Sequence, residues 1–215
     1  MKIRHIIMTA LLLSLAAGMS AQTTDEILAK METELAKGQE QGMAFDLEMS
    51  IPIIGKFRTR SYIHDDDHYK MVLEKNGEKS ISWYDKTTSW TYDSRKNEIK
   101  IENKKTDASG SSANSDAKDN LGMMSGVTEG YDVKLKKQDE KAWYFDCKKS
   151  KSNKDKDDPK TMTLIIAKDT YLPISVKAKA GLIGIAMENF ALGVTSEDVT
   201  FDASKYPGAT IVDAR

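Results

Sequence analysis

Hydrophobic residues alternate with polar ones through most of the chain, and this pattern constrains the fold more than any other feature. Phe45, Leu47 and Met49 are separated by single polar residues, which is typical of a strand with one buried face. The alternation returns in short segments as far as residue 192, and Asn76-Gly77 between two of them favours a hairpin. We therefore predict a mainly β fold with an antiparallel sheet in meander order.

One amphipathic helix precedes these strands. Its apolar stripe is formed at helical spacing by Ile27, Leu28, Met31 and Leu35. A threonine at position 23 or 24 can cap the start of the helix, and Gly38 can end it. The helix must bury its apolar side, and the apolar face of an antiparallel sheet is a natural surface for it.

The first 21 residues have the layout of a secretory signal peptide: a cationic start, an apolar run and small residues. The apolar run, residues 6–17, is shorter than the roughly 20 residues that span a bilayer. We expect cleavage after Ala21, export to the periplasm, and one domain over residues 22–215. No cysteine stands at the cleavage point, so we expect a monomer without a lipid anchor.

The composition gives no support for several classes of function. A net charge of −1 provides no reason to bind nucleic acid. We find no nucleophile elbow, phosphate loop or Ser-His-Asp pattern and expect no enzyme activity and no cofactor. The segment from His64 to His68 could bind a divalent metal, but a solvated acidic turn is the favoured interpretation. Cys147 is interpreted as a buried strand residue.

Two polar stretches, residues 104–120 and 148–160, are predicted to be mobile loops because they hold almost no large apolar side chain. Methionine is frequent, with 11 in the chain. The methionines expected on inward faces are Met49, Met71, Met123, Met124 and Met187. Methionine fills ordinary cores, but it also lines pockets for variable apolar ligands, and both interpretations stay open.

Several short strings carry a family resemblance. Tyr69-Lys70-Met71 lies on the third predicted strand, and Ser89-Trp90-Thr91-Tyr92-Asp93 follows a turn. Phe201, Pro207-Gly208 and Val212-Asp213 close the chain. In this order the chain resembles the LolA-type periplasmic carriers of outer-membrane lipoproteins, over nearly all of residues 22–215.

The resemblance implies a curved antiparallel sheet, an incomplete β-barrel, with helices as a lid over its concave apolar face. It implies a cargo of acylated lipoprotein or other lipid, an inner-membrane donor and an outer-membrane acceptor. The cavity residues that it implies are Phe45, Leu47, Met49, Tyr69, Met71, Leu73, Trp90, Ile99 and Ile101. The implied lid residues are Ile27, Leu28, Met31, Leu35, Met123 and Met124. A lipid-sensing or protein-binding envelope module on the same fold is the alternative, and an envelope enzyme with a metal at the acidic turn is a third hypothesis.

Overall fold

The computed structural model describes residues 22–75, 77–104, 126–156 and 158–215. Helix α1 spans Thr24–Ala36, and the one-turn helix α2 spans Gly38–Gln41. The Thr23 hydroxyl accepts a hydrogen bond from the Glu26 amide, and the Glu26 carboxylate accepts one from the Thr23 amide. These bonds satisfy two amides that have no partner inside the helix. The predicted helix and its threonine cap are confirmed.

Twelve strands form one sheet in the order β12-β6-β5-β4-β3-β2-β1-β11-β10-β9-β8-β7. The strands are β1 Met43–Ile51, β2 Gly55–Ile63, β3 Tyr69–Lys75, β4 Glu78–Tyr84, β5 Thr88–Asp93, β6 Glu98–Asn103, β7 Tyr131–Gln138, β8 Ala142–Lys149, β9 Thr161–Ala167, β10 Pro173–Ala180, β11 Ile183–Leu192 and β12 Thr210–Asp213. Strands β7 and β12 are the two edges, so the sheet remains open. The predicted fold class, mainly β with an N-terminal helix on an antiparallel sheet that does not close, is confirmed.

Helix α1 lies on one face of this sheet, which we call the inner face. Ile27, Met31 and Leu35 are buried there in one cluster with residues of β1, β2, β3, β8, β9, β10 and β11. The cluster therefore runs across the middle of the sheet, from β3 to β8 in the strand order. This is the main hydrophobic core of the described part of the chain.

A C-terminal segment, residues 196–213, covers part of the opposite face, which we call the outer face. It contains helix α3, Ser196–Val199, a 3-10 turn, Ala203–Lys205, and strand β12. Strand β12 pairs in parallel with β6. This parallel pairing is not predicted from the sequence, because β12 has four residues that are all exposed and show no alternation in burial.

Candidate functional site

Three adjacent strands bring most of the predicted cavity residues together on the inner face. Strand β2 lies between β1 and β3, and Ser61 and Thr59 of β2 each pair with a residue on both neighbours. Because paired residues point to the same face of a sheet, the side chains on either side of Ser61 and Thr59 share one surface. The predicted residues on this surface are Phe45, Leu47 and Met49 of β1 and Tyr69, Met71 and Leu73 of β3.

The burial of this surface decreases along the strands, away from α1. On β1, Phe45 is 2% exposed, whereas Met49, two inward positions further along, is 36% exposed. On β3, Tyr69 is 2% exposed and Leu73 is 38% exposed. The inner face is therefore an apolar surface that is buried at one end and reaches solvent at the other.

The residues of α1 that the resemblance implies as a lid pack against this surface. Ile27 and Met31 are fully buried, Leu35 is nearly so, and Leu28 packs at the margin of the same cluster. The other predicted lid residues, Met123 and Met124, lie outside the described residues. In this structure α1 itself occupies part of the apolar surface.

Polar contacts between α1 and the sheet meet at Tyr171, in the connection from β9 to β10. Its hydroxyl is hydrogen-bonded to the Gln22 side chain and accepts a bond of 3.3 Å from Lys30 Nζ. The hydrogen bonds from Gln22 and Lys30 lower the pKa of the Tyr171 hydroxyl. Tyr171 also packs on Trp143 at a ring-centroid distance of 5.3 Å. These contacts attach the beginning of the helix at one point, and among the described residues its remaining contacts with the sheet are apolar.

The second half of the inner face was missed by the sequence-based site prediction. It is formed on β8 by Trp143, Phe145 and Cys147, and on β9 and β10 by Met162, Leu164, Ile166 and Val176. Met187 of β11, which was expected on an inward face, belongs to the same cluster. The signal was present, because the residues from β8 and β9 alternate with less buried ones, which include the exposed Asp146 and Thr163. The prediction that Cys147 is buried is confirmed, and desolvation raises the pKa of its thiol to about 11.

Three predicted cavity residues lie on the outer face instead, and their assignment to the cavity is corrected. Trp90 pairs with Trp83 and Ile101, and Ile99 pairs with Tyr92. Along β4 and β5, these outward residues alternate with Ser82 and Thr91, which pair with each other. Ser82 also pairs with Met71, and Tyr84 pairs with Tyr69. Ser82 and Thr91 therefore lie on the inner face, as Tyr69 does.

The reason for this reversal is aromatic packing on the outer face. Trp90 stacks on Phe201 at a ring-centroid distance of 5.6 Å, and Trp83 meets Phe201 at 5.3 Å and Tyr206 at 5.5 Å. A shift of one residue moves a whole strand pattern to the other face. The C-terminal segment, which supplies Phe201 and Tyr206, selects the face here.

The inner face becomes polar on strands β4, β5 and β6. The hydroxyls of Ser82 and Thr91 lie 3.2 Å apart, and the Lys100 ammonium contacts the Glu102 carboxylate at 2.7 Å. The apolar part of the inner face therefore extends from β3 to β8 and stops before the β4–β6 end of the sheet.

In the acidic turn, residues 64–68, the Asp65 carboxylate forms contacts within the turn itself. Asp65 accepts hydrogen bonds from the amides of Asp67 and His68 and contacts the His68 ring at 2.8 Å. The His64 ring contacts the carbonyl oxygen of Val194. Within the described ranges, no group of three or more histidine, cysteine, aspartate or glutamate residues is placed to hold a metal ion.

A cavity of about 310 Å³ lies on the outer face, between the sheet and the C-terminal segment. Tyr62, Lys70, Trp83 and Tyr206 are among its lining residues. Lys70 Nζ donates to the Asp198 carbonyl oxygen and lies 4.1 Å from the Tyr62 ring centroid. Burial lowers the pKa of Lys70. The lining of this cavity combines charged, aromatic and aliphatic side chains, so it differs from the apolar inner face.

No protein-family model matches the chain, and no curated protein matches it. Among solved structures, it is similar to an uncharacterized conserved protein from Thermus thermophilus, at 14% identity and a TM-score of 0.37, over 89% of this chain and 99% of that one. It is similar to a LolA superfamily protein from Nitrosomonas europaea, at 10% identity and a TM-score of 0.31, over 85% and 99% of the two chains.

A third similarity is to the complex of MucA and MucB from Pseudomonas aeruginosa, at 10% identity and a TM-score of 0.42. It covers 83% of this chain and spans only 60% of the matched chain. With identities and TM-scores this low, all of these are similarities in the arrangement of strands, and they assign no activity. In the described part of the chain, no helix combines the length and the apolar character that crossing a membrane requires.

Proposed function

We propose that this protein is a non-catalytic periplasmic carrier that shelters the acyl chains of a lipoprotein, or of another lipid, on the inner face beneath helix α1. The observation that carries the proposal is the lid itself: α1 closes on an apolar surface that continues, uncovered, beyond it. The sequence resemblance to LolA-type carriers supports the same interpretation. The donor and acceptor membranes are those that this resemblance implies.

The free energy needed to displace α1 and the free energy gained by burying an acyl chain are of similar size. Fully burying one large aliphatic side chain stabilises by about 1.5–3 kcal/mol, and α1 buries Ile27, Met31 and Leu35. Displacing the helix therefore costs roughly 5–9 kcal/mol. An acyl chain recovers about 0.8 kcal/mol for each buried CH₂. A single long acyl chain can therefore replace α1 on this surface, and α1 can in turn replace the chain on release.

The chemical character of the surface suits a cargo of variable shape. Met31, Met43, Met71, Met162 and Met187 belong to the inner cluster or pack against it. Methionine is unbranched and polarizable, so it adapts to ligands of different outline. An opening element should also be weakly attached, and the single group of polar contacts at Tyr171 fits that requirement.

A lipid-uptake assay tests the proposal. Met71 and Val72 are neighbours on β3, both half-buried, and point to opposite faces. Met71→Glu places a charge on the inner face and should reduce the uptake of a fluorescent fatty acid at least about tenfold, since a charge in an apolar site is strongly disfavoured.

Val72→Glu is the matched control, because it places the same charge on the outer face beside Lys70 and Lys79. It should leave uptake close to that of the unmodified protein. Native mass spectrometry of the gently purified protein should show a bound acyl species. Equal uptake by the two variants, or an unmodified protein that takes up no lipid, would reject the proposal.

A further inference from the structure

Two hairpin loops at one end of the sheet expose large aliphatic side chains. Ile53 and Ile54 lie in the turn between β1 and β2, while Leu182 and Ile183 lie at the turn between β10 and β11. Ile54 is 57% exposed, Leu182 is 75% exposed, and Ile53 is completely exposed. We call these four residues the apolar tip.

The strand register places the two loops side by side. Strands β1 and β11 are neighbours, and Ser50 of β1 pairs with Gly184 of β11. Ser50 and Gly184 are so close that a Cβ atom on Gly184 would lie 3.5 Å from that of Ser50. Each turn lies within a few residues of this pair, so the four aliphatic side chains project from the same end of the sheet.

Ile53 in the apolar tip has an unfavourable backbone conformation. Ile53 has a φ of 72°, a region in which β-branched residues are strongly disfavoured. Asparagine or glycine would adopt this turn more easily. A fully exposed isoleucine gains nothing from packing within the protein, so the described fold supplies no compensation for this strain.

Within the two stretches of chain that carry the apolar tip, the charged residues are basic. Residues 49–58 contain Lys56 and Arg58, residues 177–187 contain Lys177 and Lys179, and neither stretch contains an acidic residue. Lys56, Arg58 and Lys177 pair with carboxylates further along the strands. Lys179 forms no ion pair with any other described residue. Aliphatic side chains flanked by lysines match the two layers of an anionic bilayer surface, its hydrocarbon and its phosphates.

We propose that the apolar tip docks this protein on an anionic lipid bilayer. Ile53, Ile54, Leu182 and Ile183 enter the boundary between headgroups and acyl chains, and Lys56 and Lys179 contact lipid phosphates. The exposed end of the inner face, at Met49, then faces the membrane. This docking goes beyond the proposed carrier function and does not depend on it, because binding to a bilayer requires no cargo.

Vesicle co-sedimentation tests the docking with a matched pair of double variants. Ile54→Ser with Ile183→Ser removes side chains that are 57% and 37% exposed. Ile211→Ser with Val212→Ser removes side chains that are 55% and 38% exposed on strand β12. With vesicles of phosphatidylglycerol and phosphatidylcholine, the tip variant should bind at least about tenfold more weakly, and the β12 variant should bind like the unmodified protein.

Two further measurements separate the contributions. Lys56→Gln with Lys179→Gln should weaken binding to anionic vesicles about tenfold, and added salt should mimic that loss. Ile53→Asn should weaken vesicle binding while raising the denaturant midpoint, so loss of folding cannot explain its effect. Vesicle binding that the tip variant retains, or an unmodified protein that binds no vesicles, would overturn the proposal. An unmodified protein that dimerises through the tip in sedimentation equilibrium would overturn it in favour of a second copy.

Discussion

The two faces of the sheet are each covered by a separate segment of chain, but the two covers are attached in different ways. On the inner face, α1 packs aliphatic and methionine side chains against the sheet. On the outer face, the C-terminal segment joins the sheet through the main chain of β12. Its Phe201 and Tyr206 also contact Trp83, Trp90 and Tyr92.

The contacts of the two covers differ in how strictly they depend on distance and angle. Main-chain pairing and aromatic packing require particular distances and angles, so the outer cover fits in one position only. Aliphatic burial is proportional to area and does not depend on direction, so another apolar group can replace the inner cover. Under the proposed function, the outer cover is therefore the fixed one and α1 is the exchangeable one.

The largest expected effect comes from removing the central ring of the fixed cover. Trp83→Ala should lower the free energy of unfolding by about 3–5 kcal/mol, because Trp83 is buried against both Phe201 and Tyr206. Chemical denaturation checks this, and the loss should be the same with and without a fatty acid present.

Met31→Ala on α1 is the counterpart on the inner face. It should lower the free energy of unfolding by about 2–5 kcal/mol in the lipid-free protein. A fatty acid should reduce this loss, because the lipid takes the place of α1. If lipid reduced the loss for Trp83→Ala instead, the assignment of fixed and exchangeable covers would be reversed.

A second prediction uses Cys147 as a reporter beneath α1. Burial raises the pKa of this thiol to about 11, and the thiolate is the reactive form. The folded state therefore favours the protonated thiol. The contribution of this preference to the free energy of unfolding is complete at neutral pH and is lost as the pH rises toward about 11. Alkylation of the folded protein should therefore be slow and should continue to rise roughly tenfold per pH unit above pH 9.

The denatured protein is the control for this measurement. Its thiol should react faster at neutral pH, by about a hundredfold or more, and its rate should level off above a pKa of about 8.5. A folded protein whose rate levelled off at the same pH would show that Cys147 is not covered. A bound fatty acid should keep the labelling slow, since lipid shelters the thiol as α1 does.

The sequence was sufficient for the elements and for half of the site. Alternation at Phe45, Leu47 and Met49 identified strand β1, and helical spacing identified Ile27, Met31 and Leu35 as the buried side of α1. Alternation states that two sets of residues face opposite ways, without stating which face is which. On β1 one set is strongly apolar, and on β3 the other set holds a single apolar residue, Val72, between Lys70 and Glu74. The residues assigned to the inner face on these two strands do lie there.

On β5 the same kind of asymmetry pointed to the wrong face. Trp90 and Tyr92 alternate with Ser89 and Thr91, and an aromatic set looks like the side that belongs in a cavity. The decision depends on Phe201 and Tyr206, more than a hundred residues later in the chain. A contact at that distance leaves no local signal, which is why Trp90, Ile99 and Ile101 were assigned to the wrong face.

The smallest expected effect tests how firmly the exchangeable cover is attached. Tyr171→Phe keeps the ring against Trp143 and removes the hydroxyl that bonds Gln22 and Lys30. The bond from Lys30 is exposed and the bond to Gln22 is partly buried, so their loss should cost about 0.5–1 kcal/mol. Hydrogen exchange of the α1 amides should speed up about two- to fivefold, while the amides of β12 should stay unchanged. Acceleration at both places would indicate general destabilisation, and no acceleration on α1 would mean that apolar packing alone holds the lid closed.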